Sequence, residues 1–351
     1  MPSFGRNNYM RVAIYNPYLD TLGGGERYTL SFACALAKKG HTVDVEWENQ
    51  DIKELLEKRF GMDLGQINIV SDVKKGDGYD ICFWVSDGSI PLMHARRNIL
   101  HFQVPFHNVS GKSLINRMKL FRINVIICNS VFTKKFIDKE FGVKSMVIYP
   151  PVDDNNIKPK HKENIILYVG RFSKILQSKG QDILIGAFMK MCEDGLRDWK
   201  LVLAGGVEVG VGSYINDLKF ASRQFPIEII ESPDFDTLKD LYGKAKIFWS
   251  ASGFGQNEME NPEKMEHFGI TVVEAMFGGA VPIVFDGGGH IEIVEEGVNG
   301  YLWNSIEDLV EKTSGLIENN RILHVLEEGA KEKSKQYDIK TFEEKVSTII
   351  K

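Results

Sequence analysis

Short runs of β-branched and other apolar residues alternate with amphipathic helical patterns along the chain, and this alternation constrains the fold more than any other feature. In the first half, we predict strands over residues 11–15, 42–47, 81–85, 98–102, 125–128 and 146–149. Apolar residues recur three and four apart over 26–39, 52–60, 114–121 and 133–141, which predicts helices there. Near-continuous apolar strands suit a parallel sheet that is covered on both faces, so this half is predicted to be a doubly wound α/β domain.

The second half starts the alternation again. Its clearest strands are predicted over residues 165–169, 201–204, 247–250 and 281–285, and its last helices over 306–318, 322–334 and 341–350. The polar stretch between the halves contains Pro150, Pro151 and Pro159, a composition typical of a linker. The 351 residues suffice for two domains at ~150 residues each.

We therefore predict an α/β protein of the two-domain, doubly wound type, with Rossmann-like domains facing each other across a cleft. The N-terminal domain is predicted over residues 1–152, the linker over 153–163 and the C-terminal domain over 164–335. The last helix, within residues 336–351, is expected to pack back on the N-terminal domain.

Charge is divided unevenly between the two halves. Residues 1–150 contain 20 basic and 15 acidic residues, a balance of +5, and the remainder balances at −10.

Apolar residues make up 43% of the chain, which excludes a disordered or low-complexity protein. The four cysteines stand singly, as expected in a reducing compartment: Cys34, Cys82, Cys128 and Cys192. The first ten residues lack the apolar stretch of a signal peptide, and no apolar run approaches ~20 residues. We expect a soluble, cytoplasmic protein.

Two loops that follow predicted strands carry phosphate-binding chemistry. Gly23, Gly24 and Gly25 open the first helix, where backbone N–H groups can approach a phosphate without obstruction by side chains. A tight strand-to-helix turn is the alternative, and the G-x-G-x-x-G dinucleotide pattern is absent. Arg171 and Lys179 follow the first strand of the second half, at the edge where open α/β sheets bind ligands. The forked guanidinium of Arg171 and the compact ammonium charge of Lys179 together suit a diphosphate.

The strongest candidate site lies within residues 261–284, where Glu266 and Glu274 flank Phe268, Gly269, Ile270 and Thr271 at a predicted helix start. Gly269 permits close backbone approach, and the first N–H groups of the helix can hold a phosphate. Thr271 and Glu274 also have the spacing of a capping box, in which Glu274 would only close the helix end. Both interpretations of Glu274 stay open on the sequence.

Asp234 and Asp236 match a D-x-D metal-binding motif, but Asp236 before TLKDLYGKA is more simply a helix N-cap. We therefore expect no metal ion.

These residues together resemble the retaining GT-B glycosyltransferases known as group 1, or family 4. The resemblance covers nearly the whole chain. It rests on a set of short motifs: Gly24-Gly25-Glu26, Val169-Gly170-Arg171, Lys179-Gly180, Glu266 with Glu274, Gly278 to Pro282, and Gly287 to Glu292 with Gly297 and Gly300. The E-H-F-G-I version of the motif resembles mannosyl-transferring members.

The resemblance implies that the N-terminal domain is the acceptor side and that the C-terminal domain binds the nucleotide sugar. It also implies a role for each candidate residue. Arg171 and Lys179 would neutralise the donor diphosphate, Glu274 would bind the ribose, and Glu266 the sugar hydroxyls near the reacting carbon. The amides of Phe268, Gly269, Ile270 and Thr271 would hold sugar and phosphate, and Gly24 and Gly25 would close over them. Glu266, His101, Arg171 and Lys179 are the residues predicted to be catalytic.

Two assignments have alternatives. His101 stands where the family has an H-[FY]-P histidine, but here Gln103 occupies the third position and the proline is Pro105, so His107 is a rival. The gap between Arg171 and Lys179 is longer than usual in the family, so Lys174 could replace Lys179 as the phosphate lysine.

The resemblance implies hexose transfer to a hydroxyl of a glycan or lipid-linked acceptor, with GDP-mannose as first donor and a UDP-hexose as second. No cofactor and no nucleic acid partner are expected. The alternatives are a nucleotide-sugar epimerase of the same fold and a non-catalytic nucleotide-sugar or membrane-binding module.

Residues 111–122 interleave basic and apolar side chains, as in a helix that lies on an anionic membrane at the inner face. An ordinary surface helix with one buried face is the other interpretation of that segment.

Overall fold

The computed structural model describes residues 9–153, 156–173, 178–208 and 210–350. Its contacts divide the chain into two compact units, one of Met1–Pro150 with Phe342–Lys351 and the other of Pro151–Thr341. Each unit contains one sheet, and every described pair of strands runs parallel. The two Rossmann-like units that the strand and helix alternation predicts are confirmed.

The first unit alternates strands with helices along the chain. Its elements are β1 (Arg11–Tyr15), α1 (Gly24–Ala37), β2 (Thr42–Glu46), α2 (Ile52–Phe60), β3 (Ile67–Val70), β4 (Ile81–Val85), β5 (Arg97–Phe102), α3 (Leu114–Leu120), β6 (Val125–Cys128), α4 (Val131–Phe141) and β7 (Met146–Val147). The strands are ordered β3-β2-β1-β4-β5-β6-β7, so the order reverses beside β1. Ligands bind at such a reversal, outside the carboxyl ends of the strands.

The core of the first unit includes residues from both ends of the chain. Val12 and Ile14 of β1 lie in one apolar cluster with Phe342, Val346 and Ile349. The ring of Phe342 meets that of Tyr28 edge to face, with centroids 5.3 Å apart. Residues 342–350 thus pack with the first unit, because the apolar face of this helical segment is buried in the core of that unit.

The second unit repeats the design. Its elements are β8 (Glu163–Val169), α5 (Gln181–Glu193), β9 (Lys200–Gly205), α6 (Gly212–Ser222), β10 (Ile227–Glu231), α7 (Phe235–Lys244), β11 (Ala245–Ser250), α8 (Ile270–Phe277), β12 (Val281–Phe285), α9 (His290–Ile293), β13 (Tyr301–Trp303), α10 (Ile306–Glu318), α11 (Asn320–Ser334) and α12 (Ile339–Ile349), whose last residues join the first unit. The order β10-β9-β8-β11-β12-β13 reverses between β8 and β11.

Candidate functional site

The predicted donor-site residues follow the two strands at which the order of the second sheet reverses. Lys179 lies in the connection after β8, and Glu266 lies in the connection after β11, which pairs with β8. Parallel strands bring their carboxyl ends to the same edge of a sheet. Residues 87 positions apart in sequence therefore come into contact.

Lys179 and Glu266 form an ion pair, with Nζ and Oε2 2.9 Å apart. Only 16% of the lysine side chain and 19% of the glutamate side chain are exposed. Burial by itself raises the pKa of Glu266, but the charge and hydrogen bond of Lys179, together with the nearby rings of His290 and His267, lower that pKa to about 2. Glu266 is therefore ionised at neutral pH, and its charge is balanced mainly by Lys179.

A glycine-rich loop closes the other side of Glu266. The amide of Gly289 donates a hydrogen bond of 2.7 Å to the carbonyl oxygen of Glu266. Gly288 has φ +60°, and a Cβ there would stand 2.3 Å from the same oxygen. A Cβ at Gly289 would stand 2.5 Å from the Cα of Phe268. Only glycine fits this close approach of two backbones.

His290 follows these glycines, and it is a site residue that the sequence reasoning did not single out. Its ring is fully buried, and Nδ1 lies 3.0 Å from the carbonyl oxygen of Phe285. Burial lowers the pKa of His290 to about 4, against the opposing attraction of Glu266. The available signal was a histidine inside the Gly287 to Glu292 motif.

The start of α8 has the geometry of an anion site. Gly269 is the N-cap, with φ 104°, and no side chain caps this end of the helix. Ile270 is the first helical residue and Thr271 the second, so Thr271 is not an N-cap. The capping-box interpretation of Thr271 and Glu274 is therefore wrong. Phe268 is buried, with its ring edge to face with that of Tyr337 at 5.4 Å.

Glu274, in the second turn of α8, is also buried, with 6% of its surface exposed. The hydroxyl of Tyr242 in α7 donates a 2.7 Å hydrogen bond to Oε2 of Glu274. This contact orients the carboxylate between two helices. Whether Glu274 binds a ribose stays a prediction.

Arg171 lies two residues beyond the end of β8 and is half-buried. Its carbonyl oxygen accepts a 2.9 Å hydrogen bond from Nε2 of Gln181 at the start of α5, which ties the two ends of the connection together. Lys174, the alternative phosphate lysine, lies outside the described residues.

In the first unit, the glycine turn leads directly into α1. Gly23 is the N-cap, Gly24 and Gly25 are the first helical residues, and the carboxylate of Glu26 accepts a 2.7 Å hydrogen bond from the amide of Gly23. A Cβ at Gly25 would stand 1.8 Å from Oε1 of Gln103. The missing side chain at Gly25 thus makes room for the Gln103 carboxamide.

The structure encloses the ring of His101. It is fully buried in β5 and stacks on the rings of Tyr28 and Phe83, at centroid distances of 4.2 and 5.3 Å. Burial lowers its pKa to about 3, opposed weakly by the backbone of Ile127. A ring in this position does not reach a sugar without rearrangement of its neighbours. Its rival, His107, is half-buried in the loop after β5.

Asp236 is not the N-cap that the sequence indicates. The helix α7 begins at Phe235, and Asp234 is its N-cap, whose Oδ1 accepts a 2.8 Å hydrogen bond from the amide of Thr237. Asp236 instead pairs with Lys239 at 2.6 Å. Within the described ranges, no three His, Cys, Asp or Glu side chains are grouped so that they could hold a metal ion.

The helix α3 carries an exposed apolar surface. None of its seven residues is fully buried, but Leu120 is half-buried and packs against the apolar cluster that contains Leu100 and Phe102. The exposed fractions are 74% for Leu114, 67% for Ile115, 64% for Met118 and 91% for Phe121 just beyond the helix. No helix among the described residues has the length and apolar character needed to cross a bilayer.

The comparisons with known proteins identify the family. The model of the family described as glycosyl transferases group 1 matches residues 152–333, which include Arg171, Lys179, Glu266 and Glu274. The chain belongs to the group 1 glycosyl transferases.

Two curated relatives share part of this chain. An uncharacterized glycosyltransferase of Methanocaldococcus jannaschii is 30% identical over 216 residues, which cover 60% of this chain and 55% of the relative. A GDP-Man:Man(3)GlcNAc(2)-PP-Dol alpha-1,2-mannosyltransferase of Neurospora crassa is 28% identical over 211 residues, covering 50% of this chain and 35% of the relative. The chain thus spans only part of the length of these relatives.

A solved structure extends the likeness to nearly the whole chain. The crystal structure of an Anabaena protein in complex with UDP and glucose has a TM-score of 0.74 and 17% sequence identity, and the match covers 97% of this chain and 99% of that chain. The fold of this protein is therefore GT-B.

Proposed function

We propose that this protein transfers a hexosyl residue from a nucleotide diphosphate sugar to a hydroxyl of a glycan or lipid-linked acceptor, with retention of configuration. The observation that carries the proposal is the contact of Lys179 with Glu266 beside the uncapped start of α8. A cation, a carboxylate and free helix amides at one place suit a substrate that carries a diphosphate and a sugar.

The mechanism assigns each group a task. Lys179 and Arg171 neutralise the diphosphate, and the first amides of α8 add the positive end of a helix dipole, so no metal is needed. Glu266 accepts hydrogen bonds from sugar hydroxyls. The bond from the anomeric carbon to the diphosphate oxygen breaks, the acceptor oxygen bonds to that carbon on the same face, and the acceptor proton passes to the leaving diphosphate.

GDP-mannose is the first donor proposed and a UDP-hexose the second. The name of the Neurospora crassa relative supports the first, because it names GDP-mannose as donor and a lipid-linked glycan as acceptor. The Anabaena structure contains UDP and glucose, which supports the second. Because both are partial or distant likenesses, the base is decided by measurement.

A thermal-shift panel of GDP-mannose, UDP-glucose and ADP-glucose tests donor binding. A ligand at about 100 times its Kd stabilises the native state by ~2.7 kcal/mol, which raises the Tm of a domain of this size by roughly 5 °C or more. Lys179→Met should abolish the shift, whereas Lys190→Met on α5 should keep it. If no nucleotide sugar raises the Tm of the natural protein, donor binding is refuted.

Turnover separates the proposal from its alternatives. Glu266→Gln keeps the size of the side chain but removes its charge, and we expect transfer to slow by roughly 100-fold. Conversion of donor without any acceptor would favour an epimerase. Binding without release of nucleoside diphosphate would favour a non-catalytic module. Equal turnover by Glu266→Gln and the natural protein would remove Glu266 from the mechanism.

We also propose that α3 binds an anionic membrane surface that presents the acceptor. Its apolar side chains are exposed, and Lys112, Arg117, Lys119 and Arg122 stand among them. Apolar insertion combined with attraction to anionic lipids is the pattern of interfacial helices, at ~1 kcal/mol per basic residue near the surface.

Vesicle flotation tests this surface. Lys119→Glu with Arg122→Glu should abolish binding to vesicles that contain 30% phosphatidylserine, chosen as an anionic surface. The same charge change at Lys58 and Lys75, both exposed in the first unit, is the matched control. The membrane proposal would be refuted if the two double variants bound the anionic vesicles equally. It would also be refuted if the natural protein bound neutral vesicles as well as anionic ones.

A further inference from the structure

Glu266 has two basic partners of different kinds. Lys179 contacts its carboxylate directly, at 2.9 Å. His290 directly follows Gly289, whose amide holds the backbone carbonyl of Glu266, and its charge acts on the Glu266 carboxylate, but no hydrogen bond joins the two side chains. Lys179 is thus hydrogen-bonded to Glu266, whereas His290 is not.

The hydrogen bonds of His290 determine what its free nitrogen can do. Nδ1 lies 3.0 Å from the carbonyl oxygen of Phe285, which accepts only from an N–H, so Nδ1 carries a proton. In the neutral ring, Nε2 is then an unprotonated base. Nε2 is buried and has no hydrogen-bond partner among the described residues.

The position of the ring is fixed by the loops around it. A Cβ at Gly269 would stand 3.4 Å from Cδ2 of His290, the carbon bonded to Nε2. The amide of Gly289, next in sequence, holds the carbonyl oxygen of Glu266. The charged groups that act on the ring are Glu266, which favours its protonation, and Lys179, which opposes it. His267 also lowers the pKa of Glu266. The charge of Glu266 in turn raises the pKa of the buried Tyr168 hydroxyl.

Donor binding changes this balance if Lys179 turns to the diphosphate, as the proposed function requires. The carboxylate of Glu266 would then lose the cation that it contacts while remaining largely buried. An unpaired buried charge is strongly destabilising, because it has lost its solvation without gaining a partner. Departure of Lys179 also removes the charge that opposes protonation of His290.

We infer that His290 is a positioning residue that replaces Lys179 as the cationic partner of Glu266 when the donor diphosphate binds. One proton from solvent adds to Nε2, which then donates a hydrogen bond to the carboxylate, while Nδ1 continues to donate to Phe285. Glu266 stays ionised and oriented to accept from sugar hydroxyls. The inference rests on the proposed function, because Lys179 must bind the diphosphate.

Proton uptake on donor binding is the direct readout. Calorimetric titration with GDP-mannose and UDP-glucose at pH 6.0, in buffers of different ionisation enthalpy, counts the protons taken up. A nucleotide sugar is used because its diphosphate lacks the terminal phosphate group that itself titrates near pH 6. We expect net proton uptake, since loss of the lysine charge and a new hydrogen bond to Glu266 both raise the pKa of His290.

Two histidine variants make the readout specific. His290→Asn can keep the hydrogen bond to Phe285 but has no base at the position of Nε2, so uptake should vanish. His267→Asn is the matched control, because His267 also lies near Glu266, with Nε2 3.0 Å from the carbonyl oxygen of Glu263. Donor binding with no uptake, or with uptake unchanged in His290→Asn, would overturn the inference and leave the proposed function standing.

A measurement without donor completes the test. In Lys179→Met protein, a histidine NMR titration should show the pKa of His290 raised above the value of about 4 that it has in the natural protein. An unchanged value would show that Glu266 and His290 are not coupled and would overturn the inference. Failure of both nucleotide sugars to bind the natural protein would overturn the proposed function and this inference together.

Discussion

His101 predicts how the first unit responds to acid. Its pKa is lowered to about 3 in the folded protein by burial, whereas an unfolded chain has the ordinary value of about 6.5. Between these values the unfolded state binds more protons than the folded state, so the free energy of unfolding falls as the pH falls. Stability from this group is complete above about pH 6.5 and is lost progressively toward pH 3.

The magnitude follows from the two pKa values. One unit of pKa difference corresponds to about 1.4 kcal/mol, so lowering the pH from 7 to 4.5 should remove about 2.5 kcal/mol through His101 alone. His101→Phe removes the titrating group and keeps an aromatic ring to stack on Tyr28. The variant should therefore lose about 2.5 kcal/mol less than the natural protein over the same pH range.

The assay is urea unfolding at pH 7 and at pH 4.5, monitored by a signal that reports unfolding of the first unit. The difference between variant and natural protein cancels the contributions of His290 and Glu266, which both chains share. His94→Phe, at an exposed histidine of the same unit, is the control and should leave the pH dependence unchanged. Equal losses in His101→Phe and the natural protein would refute the burial argument for this ring.

Two further substitutions test the packing of the second unit. Gly288→Ala should destabilise the second unit by roughly 1 to 3 kcal/mol and weaken donor binding, because the new Cβ would meet the carbonyl oxygen of Glu266 at 2.3 Å and the backbone φ is +60°. Gly186→Ala on α5, where a Cβ meets nothing within 4 Å, is the control. Equal Tm values for the two variants would contradict the clash. Tyr242→Phe removes the donor to Oε2 of Glu274 and should lower the free energy of unfolding by about 1 to 2 kcal/mol, measured by urea titration. An unchanged midpoint would show that this bond contributes nothing.

The sequence predicts the inner strands well and the edge strands poorly. β1, β4 and β12 have the predicted bounds, because strands covered on both faces are nearly all apolar. β3, β10 and β13 lie at sheet edges and are not predicted, whereas the edge strand β7 is. β3 and β10 contain polar residues that weaken the apolar signal, and β13 has only three residues.

The motifs predicted which residues carry chemistry, but only tertiary structure decided how they meet. The sequence by itself determined two α/β units, because apolar periodicity is a local property. It also named Lys179 and Glu266, but their contact depends on the pairing of β8 with β11. It could not reveal that His101 is enclosed or that the buried ring of His290 acts on the charge of Glu266. Burial and neighbouring charge are produced by segments distant in sequence, so the pKa of a histidine follows from the fold rather than from its motif.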